Sequence, residues 1–143
     1  MITDKLLRVS EAQAVTTTAV STNTIDLGVA RDMGEGKELF MNFAVGTTFV
    51  GGTSIKFEVV SSANANLSSP TVIGSSDAIV TASLAAGKNV AVALNPQIAS
   101  TGQQYLGARY TVVGTMTAGA VTADIVETVQ DGKKFYASGF TVV

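Results

Sequence analysis

The feature that most constrains this 143-residue chain is a side-chain alternation of period two that recurs along most of its length. Leu39, Met41, Phe43 and Val45 share one side of an extended segment, with Glu38, Phe40, Asn42 and Ala44 opposite. Ile55, Phe57 and Val59 alternate with Ser54, Lys56 and Glu58, which reads as a strand with one buried and one wet face. The same pattern sets Val90, Val92 and Leu94 against Asn89, Ala91 and Ala93. Leu106, Ala108, Tyr110 and Val112 repeat it against Tyr105, Arg109 and Thr111, and Val121, Ala123 and Ile125 against Thr122, Asp124 and Val126.

Residues that break strands lie between these runs. Gly51-Gly52, Ser68-Ser69-Pro70, Gly87, Asn95-Pro96, Gly102 and Gly119 are read as turns, because Gly and Pro adopt or enforce the dihedrals that turns need. A parallel α/β fold would require helical stretches of ten or more residues between strands. None can be assigned, and Ser83 to Ala86 allows one helical turn at most. Val, Ile and Thr make up about 31% of the residues, a composition suited to pleated, half-buried surfaces. Seven or eight short strands are therefore expected in a single all-β domain, a jelly-roll-like antiparallel β-sandwich. Val15 to Asn23 reads as a long strand with a bend or bulge near Ser21, where the alternation slips between Val20 and Ile25.

The boundaries expected are an N-terminal arm over 1–14, the sandwich over 15–130 and a C-terminal segment over 131–143, either a last strand or an intersubunit contact. Both ends are too apolar for solvated tails: Leu6, Leu7 and Val9 at one, Phe135, Tyr136 and Phe140 at the other. Residues 28–37 are different in kind. Arg31, Asp32, Glu35 and Lys37 place four charges in seven residues of a chain that is only 14% charged. These three segments are the expected contact elements.

Several kinds of chemistry are excluded by composition. The chain has no His and no Cys, so it has no imidazole acid–base pair, no thiol nucleophile, no disulfide and no His or Cys metal ligand. A net charge of −2 gives no basic field for nucleic acid or for an anionic membrane, and no apolar run is long enough to span a bilayer. The N-terminus does not read as a secretory signal. A phosphate loop at Gly36-Lys37 fails on spacing, with Arg31 where a Gly is needed and Glu38 where a Ser or Thr is needed. No run of acids suits calcium. Glu58 and Asp124, both at outward-facing positions, are the carboxylate pair left open for glycosidase chemistry, and Arg109 is expected to pair with Asp124 or Glu127. Tyr105, Tyr110 and Tyr136 are the candidate sugar platforms in a chain with no Trp. The expectation is no enzyme, no cofactor and no metal.

Asp4-Lys5, Ser10 to Val15, Thr18 to Gly28 and Arg31 to Gly36, together with Tyr105 to Val112 and Gly114 to Gly119, resemble a family of capsid cement proteins of tailed bacteriophages. That resemblance implies a protein that binds the outside of an icosahedral head and clamps neighbouring major capsid subunits, made in the bacterial cytoplasm and resident on the virion. A homo-oligomer is expected, dimer ahead of trimer. The rival readings are a carbohydrate-binding or adhesin-like sandwich and a tail or baseplate domain.

Overall fold

Ten antiparallel strands build the domain in the computed structural model, which describes residues 3–32, 36–95 and 103–129. They are β1 (Arg8–Ala14), β2 (Ala19–Val20), β3 (Ile25–Asp26), β4 (Phe40–Gly51), β5 (Ser54–Ser62), β6 (Thr71–Ser75), β7 (Ile79–Val80), β8 (Asn89–Ala93), β9 (Tyr105–Val113) and β10 (Met116–Val126). One sheet has the order β1-β10-β4-β8. The other has β2-β9-β5-β6, with β3 also on β9 and β7 also on β5. β2 and β3 are thus two halves of one edge, and β6 and β7 two halves of the opposite edge. Counted so, the chain is a long hairpin in which β1 pairs β10, β2/β3 pairs β9, β4 pairs β8 and β5 pairs β6/β7. Rolled into two sheets, that hairpin is a jelly roll. No helix among the described residues is long and apolar enough to cross a membrane.

The core lies between the sheets and is filled by the alternating apolar set. Met41, Phe43, Val45, Val121, Ala123 and Ile125 point inward from one sheet, and Ile55, Phe57, Val59, Leu106, Ala108 and Tyr110 from the other. Phe43 and Phe57 meet across the interface with ring centroids 5.1 Å apart, and Tyr110 stands edge-on to both at 6.0 and 6.1 Å. Edge-to-face rings of this kind attract through their quadrupoles as well as by burial. The Tyr110 hydroxyl is not stranded in this apolar setting. It donates to Ser10 Oγ on β1 at 2.7 Å, and Ser10 donates onward to Gln13 Oε1 at 2.7 Å.

The expected long strand over Val15 to Asn23 is instead broken in two, and the break falls where the alternation slips. Ser21 is buried, and its Oγ accepts from the Ala108 N–H at 3.0 Å while donating to the Asn23 carbonyl at 2.9 Å. Here a side chain replaces a strand partner, so the edge stops at Val20 and resumes at Ile25. The expected arm over 1–14 is also shorter. Arg8–Ala14 is β1, paired along β10, and Val9 is fully buried. Before it, a 3-10 turn at Lys5–Leu7 is capped by Asp4, whose side chain accepts from the Leu6 N–H. The helical turn allowed over Ser83 to Ala86 sits instead at Thr81–Ser83, slightly before its expected place.

Gly119 is not a turn. It lies inside β10 at φ 144°, at a register shift between Ala118 and Ala120, with the Phe49 ring directly over its Cα. The turn that joins β9 to β10 uses Gly114 at φ 85°, five residues earlier. The expected turns at Gly51-Gly52 and Gly87 are present, all three at positive φ.

Candidate interaction surface

The jelly-roll topology sends the N-terminal turn, the loop joining β3 to β4 and the exit of β10 to the same end of the sandwich. Arg8 at the start of β1 pairs with Asp124 near the end of β10, and Val126 pairs with Phe40 at the start of β4. Lys37 Nζ donates to Glu127 Oε2 at 2.9 Å, tying the charged loop to the residue just past β10. Asp4 and Leu7 meet Ile125, Val126, Glu127 and Thr128 around a hollow of about 340 Å³.

The expected contact residues separate at this end. Leu6 is 84% exposed and Leu7 37% exposed, both on the 3-10 turn. Val9, in contrast, is a core residue and supplies no contact surface, since strand pairing of β1 turns it inward. Arg31, Asp32 and Lys37 are exposed in the loop. Glu35, Phe135, Tyr136 and Phe140 lie outside the described residues, as does the whole expected C-terminal segment 131–143.

The carboxylates that alternation leaves open for catalysis do not meet. Glu58 is on the outer face of the β5 sheet and Asp124 on the outer face of the β10 sheet, and each is neutralised by its own arginine. Arg109 Nε donates to Glu58 Oε2 at 2.7 Å, and Arg8 Nε to Asp124 Oδ1 at 2.8 Å. Arg109 therefore pairs with neither of its expected partners, because β9 lies beside β5 while β10 is in the opposite sheet. Nor is the Glu58 face wet. Glu58 is 4% exposed beneath Arg109 and Thr111, and farther along β5 the Leu67 side chain covers Gly107. Among the described residues, no group of acids could hold a metal ion. Tyr110 is buried in the aromatic cluster and Tyr105 is half-buried in the first position of β9, while Tyr136 lies outside the described residues. No tyrosine platform for sugars is assembled among the described residues.

Burial alone would raise the Glu58 carboxyl, but hydrogen bonds from Arg109 and Thr111 and the charge of Arg109 outweigh it and hold the group below its ordinary 4.5. A depressed folded-state value means that folding favours the ionised form. Its stabilisation is complete above about pH 4.5 and is lost as pH falls through the folded value. Asp26, held below its ordinary value by Gln104 and the Gly28 N–H, has the same sign. Urea midpoints are thus expected to be level from pH 7 to 5 and to drop below 4.5. Glu58→Gln should flatten part of that drop and cost about 2 kcal/mol at neutral pH. An unchanged acid limb in the variant would show that the pair carries no such linkage.

These features define a class: a jelly-roll domain whose buried ionic groups are internally paired and whose most exposed large apolar side chain among the described residues, Leu6, sits at the end of the fold where β10 exits. The chain belongs to the Bbp16 family, whose sequence model matches residues 9–125. No curated protein matches it. The match begins one residue into β1 and stops one residue short of the end of β10, so it covers the rolled hairpin.

Proposed function

We propose that this protein is a non-enzymatic structural component of a tailed-phage head, binding the outer surface of the shell and cementing neighbouring major capsid subunits. The observation that carries the proposal is the convergence of the exposed Leu6-Leu7 turn, the charged Arg31–Lys37 loop and the exit of β10 at one end of a rigid jelly roll. It is supported by the resemblance of residues 4–36 and 105–119 to capsid cement proteins. A clamp of this kind needs stiffness and contact surface rather than reactive groups. Its sites are repeated over a symmetric shell, so modest contacts act together.

Undecorated heads incubated with the labelled protein should bind it saturably, with density over the shell in images of the particles. Arg31→Glu should weaken that binding by about tenfold, the effect of reversing one exposed charge against a complementary surface. The melting temperature should stay unchanged, since Arg31 is exposed. Density confined to the tail would reject the proposal, as would failure to sediment with heads.

A further inference from the structure

We infer that the pole of the sandwich opposite the Leu6 end is a binding surface for neutral polysaccharide chains. Four segments meet there: residues 15–20, 46–55, 78–87 and 112–120. Met116 pairs with Gly51 at the far end of β10 from Val126, and Ser54 pairs with both Val80 and Val113. The Met116 N–H donates to the Thr16 carbonyl at 2.9 Å and joins the first segment to the others. None of the four contains a charged residue, so all 11 acids and all 9 bases of the chain fall outside them. A surface built only to face water carries charge on about 25–35% of its residues. This pole carries none.

Hydroxyl and methyl groups take the place of charge. Thr16, Thr17, Thr47, Thr53 and Thr115 are exposed, and their hydroxyls make no hydrogen bond among the described residues. Val50, Val80 and Val113 stand among them, each more than half exposed. The combination suits a sugar ring, whose hydroxyls pair with neutral donors and acceptors while its C–H faces rest on aliphatic groups. Val50, Gly51, Gly52, Thr53, Val80 and Thr81 line an open hollow of about 550 Å³, within the roughly 300–1,000 Å³ of ligand sites. An open hollow lets a polymer pass through, where a closed one would hold a small molecule. Its floor is fixed, since a Cβ on Gly52 would meet Met116 Sδ at 2.5 Å where the two hairpins touch. The composition argues against a protein partner. Binding hot spots rest on Trp, Tyr and Arg, and the four segments contain none of these.

Only the direction of the pole rests on the proposed capsid role. With the terminal end on the shell, the pole stands about 35 Å away, the length of the 11-residue β10, and faces outward. Without an aromatic platform each contact is weak, and the many copies on one head act together.

The natural absence of cysteine allows Thr128→Cys to couple the protein to beads by its terminal end, leaving the pole free. Such beads should retain dextran or neutral bacterial polysaccharides from a set that also holds anionic members such as hyaluronan. Retention should persist in about 1 M salt, because no charge takes part. Val80→Glu and Thr53→Glu together should cut retention about tenfold or more, since each would place an unpaired charge under the chain. The melting curve should be unchanged, as both side chains are exposed. Thr115→Glu, on the neighbouring hairpin, should cause the same loss. No neutral polymer retained, retention of anionic members alone, or retention untouched by these substitutions would each overturn the inference. The same variants should decorate heads as the parent chain does. A variant that loses heads would make the pole a protein contact and overturn the inference as well. Beads that hold polysaccharide through a protein that ignores heads would reject the capsid role and leave this surface standing.

Discussion

Replacing Gly119 with alanine is expected to destabilise the domain by about 4 kcal/mol, from roughly equal contributions of overpacking and backbone strain. Gly119 holds φ 144°, a conformation that L side chains rarely adopt, and an added Cβ would overlap the Phe49 ring. The ring cannot easily retreat, because Phe49 is buried and its N–H is bonded to the Leu84 carbonyl at 3.0 Å. The bulge at Gly119 also carries the link to β1, since the Val15 N–H donates to the Gly119 carbonyl at 3.1 Å. Gly46 provides the control. It lies in the neighbouring strand β4 at ordinary φ, with nothing closer than the Ala120 carbonyl oxygen at 3.9 Å from an added Cβ. Gly46→Ala should shift stability by less than about 0.5 kcal/mol. Equal urea midpoints for the two variants would show that the bulge does not depend on glycine.

Phe57→Ala is expected to cost about 4 kcal/mol, lowering the melting temperature by roughly 15 °C for a domain of this size. The ring is fully buried and belongs to a three-ring cluster, touching Phe43 in the opposite sheet and Tyr110 in its own. The cost of a cavity depends on whether its walls can collapse. Here one wall is pinned, because the Tyr110 hydroxyl is bonded to Ser10 on the far sheet and cannot follow the ring into the space without leaving a buried hydroxyl unsatisfied. The double variant Phe57→Ala/Tyr110→Phe should therefore cost less, relative to the parent chain, than the sum of the two single changes. Strict additivity would mean that the Ser10 bond does not anchor the cluster.

The inward faces of β4, β5, β8, β9 and β10 were all legible from alternation, since a half-buried strand writes its period directly into side-chain type. What alternation does not encode is which strand lies beside which. Arg109 and Glu58 are 51 residues apart and Arg8 and Asp124 are 116 apart, so their pairing follows from the roll and not from any local pattern. Glu58 looked solvated because its position is polar and outward, and its burial comes from neighbours supplied by β9. Gly119 looked like a turn for a related reason. A glycine between small residues reads as a break, whereas its purpose here is the approach of an aromatic ring from β4. At the candidate surface, the apolarity of Leu6 and Leu7 and the charge of the loop were visible. The inward turn of Val9 was not, because nothing local shows that β1 has a partner more than a hundred residues away.

That arrangement of β1 and β10 bears on how the protein is made. Among the described residues β10 is the last strand in the chain order, yet it is an inner strand of its sheet, flanked by β1 on one side and β4 on the other. As the chain leaves the ribosome, β1 and β4 must wait with open edges until residues 116–126 have been synthesised and can slot between them. Folding of this sheet consequently waits for β10 and is dominated by contacts distant in sequence, a topology associated with slow folding. Nascent chains stalled before Met116 should remain sensitive to protease, and release of the full chain should bring protection in a single step.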